Sequence, residues 1–557
     1  MDENVIVMSE SGKPIFFRFG SQGTIARICG LVQALRTTQR NLDIKFGFGE
    51  IQSIVSGKLH IVFMTVESIT LVHVSKQSKS DNANEIDVVG TYSRLQLEYV
   101  YSYLIFMFTD VQRIFDNNPG FDLGSVMNSN DRLIKGLLDE IGPKGNFGPF
   151  LVSGIQTCFP LSCNMRNAAS KTLQSIAGRI ENNCAFALLI AGDKLLTVVQ
   201  PSFRPHQLRV SDLHLILNFI NNQPGLLASE LWIPMCLPRL NSSGFLYAYT
   251  NCFDVASKLS LILISSNNTT EQFQLLRNAS KEILEDLGLQ SVLSSILEIE
   301  DVEPKSTSIM QADVGWKRTV ESLDSITTDE GYINVTTDMI RNSKVSSIEE
   351  GEFLKQVQQS LYLSSLDHIC DRYLDAQHSA SLVHFLFRLD VPVVQVSSQM
   401  KHRQQKLGFV SQCISPIVPA SCGNDISRRR HFYTNYQKLC LRLRLGSASF
   451  ESSMDAFDMI QNDSSCFDER DMKGIGSTVA ATLLLESSPY NKDGGLAYIR
   501  EGNNIFLAMN GKHFELYIVT LSNISLTTAA TIATKLVREF ILDKKSLFLT
   551  KPLTWLI

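Results

Sequence analysis

Apolar residues fall into short blocks through the first 150 positions. Residues 5–8 and 14–19 form two blocks, separated by Glu10, Ser11, Gly12 and Lys13 and closed by Gly20, a hairpin pattern. Ile25, Ile28, Val32 and Leu35 then recur at helical spacing, with Thr24 as the expected cap. Residues 51–55 read as a weak strand. Residues 59–66 and 69–74 read as stronger ones, split only by Glu67 and Ser68. From residue 88 to 115 the spacing is helical, with Tyr92, Leu95, Tyr99 and Tyr103 along one side, and a shorter helix fits 133–141. The order β-β-α-β-β-β-α-α predicts one antiparallel sheet with helices, an α+β domain.

The same order recurs. Residues 185–191 and 195–199 form a hairpin around Gly192 and Asp193. A helix fits 213–220, with Ser211 or Asp212 as its cap. Strands at 231–237, 245–251 and 259–265 follow, then a helix at 272–287 with polar capping choices at 267–270. Residues 302–347, rich in Ser and Thr, read as linker. A helix at 361–373 and a hairpin of 382–389 with 391–396 come next. Pro416 and Pro419 then break the pattern. Strands at 496–500, 505–509 and 514–519 and a helix at 527–542 close a third unit. The expected division is 1–150, 151–300, a linker and helical segment at 301–375, and 376–557 with a divergent insertion around 410–490.

Composition narrows the function. The 557 residues are 44% hydrophobic and 19% charged, with a formal charge of −5. That excludes a wholly disordered chain and gives no global positive field for nucleic acid. Eleven cysteines without a CxxC pair, and no signal-peptide pattern at the start, read as reduced thiols in a cytosolic protein. No apolar run reaches the roughly 20 residues that cross a bilayer. There is no nucleophile elbow, phosphate-binding loop, zinc helix or kinase set. His60 and His73 alternate with apolar residues on strands, without a ligand cluster beside them. Arg428, Arg429, Arg430 and His431 form a short basic run, read as a solvated loop or as a contact for a phosphate or anionic lipid headgroup. The outer side of the first helix carries Ala26, Gly30, Gln33, Ala34 and Thr37, small enough in part for close approach by a partner.

Spaced blocks carry a resemblance. NVIVMSESGKPIFFRFG at 4–20, SGKLHIVFM at 56–64 and the helix at 95–107 resemble the first domain of the SAND family of vacuolar fusion proteins. SDLHLILN at 211–218, WIPMCLP at 232–238 and NSSGFLYA at 241–248 resemble its second domain, and FELY at 514–517 and FLTKPL at 548–553 its terminus. The resemblance implies three longin-like domains, each a five-stranded antiparallel sheet packed with helices.

It also implies a heterodimer with a Ccz1-type longin protein. That complex would be a guanine-nucleotide exchange factor for a Rab7-type GTPase in endosome maturation and vacuole or lysosome fusion. A third scaffold subunit in animals and an anionic or phosphoinositide-containing membrane surface are further expected partners. The expected location is cytoplasmic, peripheral on late endosomal, lysosomal or vacuolar membranes. No cofactor is implied, and the chain would have no bond-making chemistry of its own. On this basis Ala26, Gly30, Gln33 and Arg36 are candidate partner contacts and Lys58 and His60 candidate GTPase contacts. Arg428, Arg429 and Arg430 are candidate lipid contacts. The alternative reading is a non-catalytic longin adaptor or tether. The chain starts almost directly at the first strand, where many relatives carry an acidic extension.

Overall fold

The computed structural model describes residues 3–46, 51–56, 59–76, 83–118, 120–157, 163–180, 184–201, 208–223, 225, 230–255, 258–286, 374, 378, 381–392, 409–415, 426–445, 495–511, 513–549 and 553–555. The helix expected at 361–373 and the linker at 302–347 lie outside these residues.

The first domain runs β1 (Glu3–Ser9), β2 (Pro14–Phe17), α1 (Gln22–Phe46), β3 (Ser53–Ser56), β4 (Leu59–Val66), β5 (Ile69–Lys76) and α2 (Ala83–Phe108). Its antiparallel sheet has the order β2-β1-β5-β4-β3. Alternation along the strands decides which helix covers which face. Val5, Val7, Val62, Met64 and Leu71 pack with Tyr92 and Leu95 of α2. Their neighbours Ile6, Met8, Ile61, Phe63 and Val72 pack with Ile25, Cys29 and Val32 of α1. Ser21, not Thr24, caps α1: its hydroxyl accepts from the Thr24 amide and its carbonyl from the Ile25 amide.

A connecting segment follows: α3 (Val111–Asn117), α4 (Leu123–Ser129), α5 (Asp131–Ile141), α6 (Gly148–Val152) and the two-residue β6 (Ile155–Gln156). The second domain is α7 (Cys163–Ala177), β7 (Phe186–Ala191), β8 (Lys194–Pro201), α8 (Val210–Asn222), β9 (Leu231–Leu237), β10 (Asn241–Asp254), β11 (Leu259–Ser265) and α9 (Thr270–Glu285). Thr269 caps α9, within the expected range. Neither Ser211 nor Asp212 caps α8; both are buried, and Asp212 Oδ1 accepts from the Arg239 amide instead.

The third domain is β12 (Leu382–Pro392), β13 (Phe409–Ile414), α10 (Ile426–Leu445), β14 (Gly495–Glu501), β15 (Asn504–Gly511), β16 (Phe514–Leu521), α11 (Leu526–Leu542), α12 (Lys544–Leu547) and β17 (Leu553–Trp555). Instead of the hairpin expected from 382 onward, β12 is one strand through Pro392. Asp390 needs no turn, because its carboxylate takes Ser411 Oγ at 2.7 Å and Arg388 Nε at 3.2 Å. Within the stretch expected to hold an insertion, β13 and α10 supply the sheet's second strand and following helix.

The three sheets share one topology. The second reads β8-β7-β11-β10-β9 and the third β13-β12-β16-β15-β14, each with an extra parallel strand on the side of its second strand. β6 pairs with β13 of the third domain, and β17 pairs with β8 of the second. Two sheets are therefore six-stranded rather than five-stranded, because each takes a short strand from another part of the chain.

One face of every sheet enters a common core around α2, which joins Ile216, Phe219 and Met235 of the second domain to Tyr436, Phe506 and Tyr517 of the third. The outer faces are closed by α1, by α7 with α9, and by α11. Polar stitches hold the seams. The Nε2–H of His214 donates to the Gly154 carbonyl at 3.0 Å, so its Nδ1 accepts from the Tyr99 hydroxyl at 2.8 Å. Arg388 Nη1 donates to the Val152 carbonyl at 2.8 Å.

Burial holds His214 neutral, with its pKa lowered to about 4, and lowers that of His73 to about 3. The unfolded chain takes up these protons first, near pH 6.5. This stability is therefore complete above about pH 6.5 and is lost as pH falls toward 4. At pH 5 each histidine should cost about 2 kcal/mol relative to pH 7.5, read as a lower urea midpoint. Tyr99→Phe, which strands His214 Nδ1, should cost about 1–2 kcal/mol in the same measurement at pH 7.5.

Candidate functional site

With α2 and the inner face of its sheet occupied, the first domain still exposes the outer side of α1 and the β3 edge. α1 lies on the sheet through Ile25, Ile28, Cys29 and Val32, a spacing that turns the opposite side to solvent. Ala26, Gly30, Ala34 and Thr37 are exposed there, and a Cβ placed on Gly30 would meet nothing within 4 Å. Leu31 stands beside them, 57% exposed. Gln33 and Arg36, expected with this group, turn the other way. Gln33 packs over the turn at Gly12, and the Arg36 guanidinium donates to Thr70 Oγ1 of β5. Both support the domain's own hairpins.

At the far edge, β3 pairs with β4 alone among the described strands. Ile51, Val55 and Leu59 expose large apolar side chains at or beside it. The corresponding edges of the other sheets differ, although β14 also exposes Leu496 and Tyr498. β9 contains Pro234, which has no N–H to offer, and the Tyr498 carbonyl of β14 accepts from Arg442 Nη1 at 3.4 Å.

Lys58 lies outside the described residues. His60 is buried, its Cε1 3.3 Å from where a Cβ on Gly90 of α2 would stand. It shares the inward face with Val62 and Met64, so it cannot touch a GTPase while α2 is in place. The basic run is not a solvated loop but the first turns of α10. Arg429 is half-buried and donates to the Gly145 carbonyl at 3.3 Å, tying the third domain to the segment after α5. It also faces Glu140, whose pKa is raised by burial and pulled back by the Asn146 amide and by Arg429. Arg430 is half-buried as well.

Sequence reasoning missed Leu31, Val55 and Leu59. The signal for Leu31 was available: it lies about 100° around α1 from Val32, on the flank of the buried stripe, and is an apolar side chain left 57% exposed. Among the described residues no group of three or more His, Cys, Asp or Glu side chains could hold a metal ion. Cys29, Cys184, Cys236, Cys252, Cys413 and Cys440 are unbonded, and burial pushes the Cys184 and Cys236 thiols up to about 12. No described helix is long and apolar enough to cross a membrane.

Residues 3–137 match the family defined as the first longin domain of FUZ, MON1 and HPS1, and residues 182–285 match the second longin domain of the same proteins. A SAND protein of Takifugu rubripes is 29% identical over 298 residues, covering 53% of this chain and 52% of the relative. A vacuolar fusion protein MON1 homolog of Oryza sativa is 30% identical over 318 residues, covering 55% and 51%. The MON1 homolog A of Homo sapiens is 27% identical over 267 residues, covering 48% and 37%. The chain thus matches about half the length of the first two relatives and less of the third. With three sheets of one topology, and both matched domains at the positions where the first two sheets form, the chain belongs to the MON1/SAND family of longin proteins.

Proposed function

We propose that this chain is one half of a heterodimeric guanine-nucleotide exchange factor for a Rab7-type GTPase, acting in endosome maturation and vacuole or lysosome fusion. The observation that carries the proposal is the unguarded β3 edge beside the exposed small-residue side of α1. The partner is a longin protein of the Ccz1 type. It pairs a strand with β3 and lays a helix against Ala26, Gly30 and Ala34, where small side chains let backbones approach. Val55 and Leu59, rather than the buried His60, stand where the joined domains meet the GTPase. The complex works peripherally on late endosomal, lysosomal or vacuolar membranes, with a third scaffold subunit in animals.

Exchange on this surface needs no acid, base or nucleophile. The dimer binds the nucleotide-poor GTPase better than the nucleotide-bound form and so shifts the population toward it. GTP then displaces the dimer. The shift can be no larger than the difference in affinity, and each tenfold difference is about 1.4 kcal/mol.

Purified heterodimer should accelerate GDP release from the GTPase, while this chain alone should not. A stable dimer that leaves release at its intrinsic rate would make the chain an adaptor or tether. Gly30→Arg combined with Ala34→Arg should abolish co-purification with the longin partner, since the side chains point into open space and leave the fold intact. Gly30→Ala alone should raise thermal stability by about 0.5–1 kcal/mol through helix propensity. Arg429→Gln should lower stability by about 1 kcal/mol, with retention on anionic liposomes unchanged, because the side chain serves a domain seam.

A further inference from the structure

The segment after α11 crosses from the third domain to the second, and its two ends are held very differently. Its root is fixed. Leu547, Phe548 and Leu549 are 0%, 1% and 4% exposed. The Leu549 amide donates to Gln412 Oε1 at 2.7 Å, and Gln412 Nε2 donates back to the Leu549 carbonyl at 3.0 Å. Thr157 Oγ1 donates to the Leu547 carbonyl at 2.8 Å. The far end is β17, only three residues long and paired in parallel with one edge of β8: Leu553 with Val199, Thr554 with Gln200 and Trp555 with Pro201.

We propose that the β8 edge is a strand-acceptor site, filled in cis by residues 553–555 and open to an extended apolar peptide when they leave. β8 is the second strand of its sheet, and without β17 its outer edge over residues 199–201 would face no strand. The start of that edge is closed separately by the parallel bridge of Thr157 to Leu195. Parallel pairing is slightly weaker per residue than antiparallel pairing, and three residues make a small cooperative unit. The neighbouring β6 pairs with β13 in the same parallel manner, so strand addition is already how this molecule closes its second-strand edges. The root at Gln412 keeps the departing strand tethered, so release and return are local events. The ligand class is a short extended segment with alternating apolar side chains, like the Leu553-Thr554-Trp555 it replaces.

The test uses two variants of the full chain. Thr554→Pro removes the N–H of the central paired residue. It should speed amide exchange over residues 197–200 about tenfold or more while the Leu549 amide stays protected. Deletion of residues 550–557 should create a vacancy that a synthetic peptide of sequence KPLTWLI binds, restoring protection of β8. The intact chain should bind the same peptide at least about tenfold more weakly, because its own strand competes. Unchanged exchange of β8 in Thr554→Pro would overturn the proposal. So would simultaneous opening of Leu549 and β17, or a cooperatively folded deletion variant that ignores the peptide. Should the deletion fail to fold, the exchange pattern of Thr554→Pro decides alone.

Discussion

The rest of the structure depends on one helix having no solvated side over most of its length. α2 carries Tyr92, Leu95, Leu97, Tyr99, Val100, Tyr103, Leu104 and Phe106, each 3% exposed or less, over more than half of its circumference, and Glu98 and Ile105 on the remaining side are also buried. A helix apolar all round must be enclosed by protein. One domain cannot enclose it, because a sheet covers only one side. The first sheet, β9 and α8 of the second domain, α10 of the third domain and α5 of the connecting segment share its flanks. Its charged pair Arg94 and Glu98, one helical turn apart, is nearly buried and self-neutralising at 3.6 Å. Three domains of one topology are thereby fused into a single apolar core, with His214, Arg388 and Arg429 tying its seams.

That enclosure decides what the molecule has left to offer. The inner sheet faces are spent on α2 and α10, and the outer faces of the second and third sheets on their own helices. Two second-strand edges are closed by β17 and β6. A proline marks one third-strand edge and an arginine covers a carbonyl of another. Among the described residues, the first domain combines an edge strand that pairs with β4 alone and a helix side carrying Ala26, Gly30, Ala34 and Thr37. On the function proposed above, free energy for nucleotide release would come from which GTPase conformation that surface prefers.

Much of this was legible in the sequence where local physics dominates. The unbroken apolar runs Val5 to Met8 and Ile61 to Met64 are the signature of strands buried on both faces, and both are such strands. Period two places His60 with Val62 and Met64 on the inward face, so its burial was legible in the strand, and its candidate GTPase contact rested on the family resemblance alone. α10 was hidden because its first turn is Arg428, Arg429 and Arg430. The later residues Phe432, Tyr433, Tyr436, Leu439, Cys440 and Leu443 are all buried and form its apolar stripe. β6 and β17 have two and three residues, too few for any period to register. They exist because a distant edge needs closing, which is a property of the assembled fold. The choice of Ser21 over Thr24 turns on a one-turn difference in where α1 begins, below what spacing alone resolves.

Amide hydrogen exchange of this chain before and after mixing with the proposed Ccz1-type longin partner tests the central claim most directly. New protection should be confined to the β3 edge and its flanks, residues 51–56 and 59–61, and to the outer side of α1 between residues 26 and 38. β9 and β14 should be unchanged. Protection centred on β9 or β14, with β3 exchanging as freely in the complex as alone, would contradict the account.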